Sequence, residues 1–430
     1  MSLKINFPKA QVFLLACFCF GIFSEINAAE KANLSAGVAK VNITPQTPIP
    51  MSGYGSRKDP FQGVHDDIFA RSAVFSDGTK KAVLLSVDVI GFSHSYWEKT
   101  TKRIENETGI PQQNILLAAV HNHAGPVTRV YVRTDSPDVL SYCNELEDKL
   151  VTIVSEANGN LRPVRIGAGA GECKMNINRR AQNAQGEITL GRNPYGPCDH
   201  TAGVVRIDAA DGKPIALLIN WPCHGTVTGP QNYLISGDWP GATSRYVEQQ
   251  FHNSAVALVT AGASGDINPI YGPHIDFVER KSYSFAVDAI GSILGQEVIR
   301  VSNEINASGN CAISSSQKVI SLPRKKDKTN LLQPEEDINK GVDIRLSVLK
   351  IGNIVLAGVS GELFNEIGKQ VKEASPYKNT FVVTHCNGSS GYIVTDKAYE
   401  EGGYEASSTR IESGAEKAIV ENLLAMINDL

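Results

Sequence analysis

The sequence has no internal repeat, no low-complexity tract and no Pro/Gly-rich linker that would divide its 430 residues. Its 38 glycines and 20 prolines are an ordinary share, which excludes a collagen-like chain. With 42% hydrophobic residues it is neither a disordered chain nor a coiled coil, and it has material for a large core. There is no basic block: 41 Lys and Arg stand against 45 Asp and Glu, for a net charge of −4. That balance argues against nucleic acid as a main partner. There is no CxxC pair. After an amino-terminal leader, six cysteines remain: Cys143, Cys173, Cys198, Cys223, Cys311 and Cys386. An even number permits disulfides, and Cys173 with Cys198 is the first pairing to expect, among thiols that are otherwise buried and free. No later apolar segment is long enough to span a bilayer.

The leader itself is legible. Lys4 and Lys9 precede an apolar run from Val12 to Phe23, and the small residues Ala28 and Ala29 follow. The run is too short for a stable membrane span, and the pattern predicts a secretory signal over residues 1–28. The protein is then secreted or periplasmic. Leu14-Leu15-Ala16-Cys17 also has the look of a lipoprotein box that would acylate Cys17, although the apolar run continues past it.

The remainder, 29–430, reads as a single α/β domain. Near-continuous apolar runs suit strands buried on both faces. They are Lys81–Val87, Asn114–Val120, Ile215–Asn220, Ala255–Thr260, Asn353–Val359 and Thr380–Thr384. Amphipathic stretches lie between them, at Ser95–Thr108, Asp138–Asn158, Pro240–His252 and Leu363–Ala374. The alternation predicts a largely parallel or mixed central sheet flanked by helices. Residues 303–343 are charged and poorly periodic, and are expected to form a surface excursion or lid.

Polar groups follow the apolar runs. They include Asp88, His121-Asn122-His123, His224, Asp266 with Asn268, Glu362, and His385 with Tyr392. In an open α/β sheet, ligands bind beyond the carboxyl ends of the strands, so these groups are expected at one edge. His121 and His123 would face the same side of an extended segment. Imidazole nitrogen and carboxylate oxygen are zinc donors, and His224 and Glu362 would enlarge the set. Asp88 and Asp266 are candidates to orient the imidazoles. The plainer alternatives are hydrogen-bonded structural histidines and aspartates that cap helices or make turns.

Several segments together resemble one family. They are Gly37 to Pro45 (GVAKVNITP), Ala70-Arg71-Ser72, and His121 to Pro126 (HNHAGP, where the family has HTHSGP). Asn176-Ile177-Asn178-Arg179, Asn220-Trp221 with His224-Gly225-Thr226, and Gly265 to Pro269 (GDINP) come next. Gly361-Glu362, Gly391 to Thr395 (GYIVT) and Tyr404 to Ser407 (YEAS) complete the set. The chain resembles the catalytic domain of the neutral/alkaline, non-lysosomal ceramidases over most of its mature length. The resemblance implies one Zn²⁺ held by His121, His224, Glu362 and Tyr392. It further implies that His123 contacts substrate or an activated water, and that Arg179 and Tyr404 are active-site residues. Two features depart from the family. Asn268 stands where the family carries a serine implicated in catalysis. The chain also ends at Leu430 with no room for the immunoglobulin-like domain of larger members.

The expected function is that of an exported zinc hydrolase that cleaves the N-acyl amide of a ceramide-like lipid with a zinc-activated water. Asn268 would at most hydrogen-bond the substrate. The alternatives are a zinc hydrolase on the same scaffold acting on a carbohydrate ester or glycan, and a non-catalytic binding protein.

Overall fold

The computed structural model describes residue 2 and residues 33–128, 136–272, 283–325 and 341–430. The expected signal over 1–28 with Cys17, apart from residue 2, lies outside the described residues, as does the stretch 326–340 of the expected excursion.

Each of the six apolar runs is a strand, and the six form three parallel pairs, each joined by a helix. Lys81–Val87 and Ile115–Ala119 are joined through the helix His94–Thr108. Pro214–Trp221 and Val256–Ala261 are joined through Asp238–Gln250. Ile354–Val359 and Asn379–Val383 are joined through Asn365–Ala374. Parallel neighbours need a long crossover, and that need produces the alternation read in the sequence. Local signals set the limits of the first crossover helix. Ser93 Oγ accepts from the Tyr96 amide at 3.2 Å, and Gly109 ends the helix at φ 72°.

The other strands of the two larger sheets pair antiparallel, so both sheets are mixed. Eight strands run in the order Val256–Ala261, Pro214–Trp221, Thr201–Ala209, Arg162–Glu172, Ser35–Asn42, Phe69–Ser76, Lys81–Val87, Ile115–Ala119. One parallel pair lies at each end. The third pair belongs to a four-stranded sheet, after Ile313–Leu322 and Val342–Ile351. Leu84, Leu116, Leu218, Leu258, Leu356 and Val383, one from each run, pack into one apolar cluster.

Within 303–343, Ile313–Leu322 is a strand at a sheet edge; its sequence is polar (ISSSQKVISL) because an edge strand is wet on more sides than a central one. The expected pairing is not made: Cys173 and Cys198 are not bridged, and Cys223, Cys311 and Cys386 are likewise thiols. Cys173 is buried in the core, whereas the Cys198 sulfur lies 3.7 Å from His200 Nδ1.

The carboxyl ends of the three units are laced together. The Thr384 amide donates to the Ala261 carbonyl at 2.9 Å, and the Ala119 amide to the His385 carbonyl at 3.2 Å. The Gly262 amide reaches the Trp221 carbonyl at 3.0 Å, and Asn122 forms a bridge with Gly225. The Asn387 side chain accepts from the Leu117 amide at 2.7 Å and donates to the Ile115 carbonyl at 3.0 Å. The polar groups that follow the strands therefore converge.

Candidate active site

His121, His123 and His224 meet at this edge; one nitrogen from each lies within 4.8 Å of the others, so the three are able to hold a metal ion. The first two do not meet by strand alternation. His121 has left the strand, with φ 58°, and its ring stands at 82° to that of His123. Such a backbone is costly for a residue with a Cβ and is concentrated at functional sites.

The hydrogen bonds fix the tautomers. His121 Nδ1 donates to the Ile90 carbonyl at 2.9 Å, and His224 Nδ1 to the Ser264 carbonyl at 2.7 Å. A carbonyl only accepts, so Nε2 of each ring presents a lone pair. Both lone pairs face one carboxylate: Glu362 Oε2 is 3.4 Å from His121 Nε2 and 3.5 Å from His224 Nε2. His123 Nε2 lies 3.1 Å from His121 Nε2, and its own Nδ1 is buried without a partner. Gly53, at φ 99°, leaves room for the His123 ring, with which a Cβ would collide. Tyr54 meets that ring edge-on at 5.1 Å.

Charge follows burial and neighbours. Burial and the Arg179 charge push His224 down to about 4. Burial, helped by His121 and His224, also holds His123 well below the ordinary imidazole range. For Glu362, burial works toward protonation, but His121 and the hydrogen bonds outweigh it and the acid is held well below the usual carboxylate range. Neutral His123 and His224 rings beside an ionised Glu362 are protonation states compatible with a divalent cation.

Arg179 forms the opposite wall. Its Nε donates to Glu405 Oε1 at 2.7 Å, its Nη1 reaches His224 Nε2 at 3.2 Å and Asn268 Oδ1 at 3.3 Å, and its Nη2 donates to the Tyr392 hydroxyl at 3.0 Å. Arg180 also binds Glu405, through Nη1 at 3.0 Å. Adjacent residues of a regular strand point to opposite faces. The register breaks between Asn178 and Arg180, and this irregularity goes with both guanidinium groups reaching one acid. Tyr404 is half exposed, with its ring 5.8 Å from that of Tyr392. Burial, reinforced by the Glu362 charge, raises the Tyr392 phenol well above its usual range.

Asp88 and Asp266 do not orient the imidazoles; backbone carbonyls do. Asp88 is occupied by Arg71 Nη1, at 2.9 Å. Asp266 accepts from the Asn365 amide at 2.8 Å and from Asn178 Nδ2 at 3.0 Å, and burial raises its pKa to about 6. Sequence reasoning gave no role to Glu405 or Tyr54, and it expected His385 at this edge without assigning it a task. Two adjacent arginines in a strand of the core were the available signal for a buried acid.

The family model of neutral/alkaline non-lysosomal ceramidases, N-terminal, matches residues 34–284. The chain belongs to this family. Neutral ceramidase 1 of Arabidopsis thaliana is 25% identical over 333 residues, covering 73% of this chain and 40% of that protein. The neutral ceramidase of Pseudomonas aeruginosa is 26% identical over 273 residues, covering 60% of this chain and 40% of the relative. The chain thus spans about two fifths of the length of these two relatives. A crystal structure of the Pseudomonas aeruginosa neutral ceramidase aligns with 92% of this chain and 74% of its own, at TM-score 0.76 and 18% identity, so the fold is shared. The ceramidase match takes in His121, His123, Arg179, His224 and Asn268. Glu362, Tyr392, Tyr404 and Glu405 lie beyond residue 284 and reach the same site through the fold.

Proposed function

We propose that the protein is an exported, zinc-dependent amidohydrolase that cleaves the N-acyl bond of a ceramide-like lipid. One observation carries the reading: two imidazoles, each pinned by a backbone carbonyl at Nδ1, turn their Nε2 lone pairs toward the same carboxylate oxygen. Two nitrogens and a carboxylate oxygen suit Zn²⁺. His121, His224 and Glu362 would hold the ion, with Tyr392 as the fourth donor. The donor set fits, with two conditions: the His224 lone pair cannot serve the ion and Arg179 Nη1 at once, nor the His121 lone pair the ion and His123 Nε2, so both contacts give way on binding. When bound, zinc supplies Lewis acidity and a water whose pKa falls to about 7.

The remaining work falls to the chain's own groups. Arg179, fixed by Glu405 at Nε, directs its other nitrogens into the site and stabilises charge that develops on the acyl oxygen. Tyr404 would donate to the same oxygen. His123, kept neutral by burial, would take a proton from the attacking water and pass it to the leaving amine, a contribution typically of about 10²–10⁴ in rate. Asn268 has no nucleophilic atom, so no acyl-enzyme forms through it. The amino-terminal apolar run supports export, and among the described residues no helix is long and apolar enough to cross a membrane.

A second reading, a hydrolase of the same scaffold acting on a carbohydrate ester or glycan, is favoured by Asn268 in the place of the serine. The test is metal analysis of purified protein followed by a panel of N-acyl, ester and glycoside substrates. Stoichiometric zinc with amide cleavage supports the first reading. Zinc with cleavage only of esters or glycosides supports the second. No zinc after reconstitution rules out both.

A further inference from the structure

We infer that His385 is a positioning residue, which holds the His121 ring face-on and thereby sets the direction of its Nε2 lone pair. The inference rests on the zinc reading above, in which that lone pair is a donor. The two rings are stacked, with centroids 3.7 Å apart and planes 13° from parallel. The other two imidazoles near His121 meet it at 82° and 78°, so neither lies flat against it. The hydrogen bond from His121 Nδ1 to Ile90 fixes one atom of the ring and leaves the ring free to tilt about that contact. A flat side chain at van der Waals distance removes this freedom.

His385 is set in place by its backbone. It adopts φ 51°, so both members of the stack are left-handed. Its amide donates to the Gly361 carbonyl at 3.3 Å and its carbonyl accepts from Ala119 at 3.2 Å. These contacts tie it to the residue before Glu362 and to the strand that leads into His121. Its Nε2 is buried without a hydrogen-bond partner, so the ring meets the site through its face. A π-face is also favourable beside an imidazole that gains positive charge when it binds a cation.

The experiment compares His385→Leu, which fills the volume without a flat face, with His385→Phe, which restores the face without the nitrogens. The full chain is stripped of metal, its zinc affinity is measured by competition with a chromophoric chelator, and the visible spectrum of its Co²⁺ form is recorded. His385→Leu is expected to bind zinc about 10-fold or more weakly, the range for residues that support a ligand from outside, and to shift the Co²⁺ bands. His385→Phe is expected to keep both close to wild type. Wild-type affinity and spectrum in the leucine variant, or an equal loss in the phenylalanine variant, overturn the inference. Should the leucine variant fail to fold by circular dichroism, the phenylalanine variant decides: retained affinity and spectrum support the face-on role, and a tenfold loss overturns it. Wild-type protein that binds no zinc overturns the underlying reading instead, and is seen before any variant is compared.

Discussion

Arg71 and Arg179 each centre a buried charge cluster, and burial alone does not tell the two apart. Arg71 is 1% exposed and its partners are the equally buried Asp88, at 2.9 Å, and Glu248, at 3.6 Å from Nε. Lys40 closes that cluster on Glu248 at 2.7 Å. Arg179 is 5% exposed and also has a buried carboxylate, Glu405. The difference lies in the remaining donors. Arg71 Nη1 holds both oxygens of Asp88, and its Nε, which makes no hydrogen bond, faces Glu248 on the helix Asp238–Gln250. The remaining donors of Arg179 are directed at His224, Asn268 and Tyr392, the groups of the candidate site. A buried charge is evidence of function when its spare hydrogen bonds reach titratable or ligating side chains, and of architecture when they do not.

The sharpest way to test this contrast is to remove the centre that Arg179 faces. His224→Ala and Glu362→Ala should abolish both bound metal and activity while the protein stays soluble and folded, as read by elemental analysis and circular dichroism. A core this large does not need the ion in order to form. Next in size, Arg179→Ala should lower turnover by about 10²–10³, the cost of losing one well-placed donor to a developing oxyanion. Its fold should hold, because Arg180 still neutralises Glu405. Arg179→Lys should not rescue, since an ammonium cannot span acid, amide and phenol together.

Arg71→Ala should do the reverse. It leaves Asp88 and Glu248 without the guanidinium between them, and breaking a buried pair costs about 3–5 kcal/mol. A urea melt would show it, while metal content per folded molecule stays at the wild-type value. If Arg71→Ala instead left stability untouched and abolished zinc binding, the distinction between the clusters would collapse. Glu405→Gln should be milder than Arg179→Ala: turnover falls because Arg179 loses its charged anchor, and zinc is retained. The smallest effect belongs to Asn268→Ala. It should keep zinc and measurable activity, and mass spectrometry during turnover should find no covalent adduct. A trapped acyl-enzyme would contradict the assignment of Asn268.

Much of the site's framework was legible because the six strands that carry it are crowded with apolar side chains on both faces. The antiparallel strands were not legible. Arg162–Glu172 reads RPVRIGAGAGE, which looks like a loop. Its glycines are there because the helix Tyr283–Glu304 crosses close above: a Cβ at Gly171 would collide with Glu297, and one at Gly169 would press on Val301. The candidate ligand positions were legible through the family resemblance, and His121, His224 and Glu362 also through their place after strands. The wrong expectation, that Asp88 and Asp266 orient the imidazoles, came from giving a side chain a task that main-chain carbonyls of Ile90 and Ser264 perform. Sequence cannot show where a backbone carbonyl points. Glu405 was invisible for a related reason, since its meaning comes from two arginines more than 220 positions away.

The clamp made by the Asn387 side chain has a consequence for the order in which the protein matures. It joins residues 270 positions apart, so the contact can close only when nearly the whole chain has been synthesised. Long closures of this kind are slow to find, and their reward comes after their entropy has been spent. His121 and His224 emerge from the ribosome long before Glu362 and Tyr392. On the zinc reading, the nascent chain therefore displays two imidazoles and no carboxylate, a weak and promiscuous chelator. Selectivity for the ion arrives with the docking of the second sheet, which makes the finished centre a checkpoint on complete folding rather than a nucleus for it.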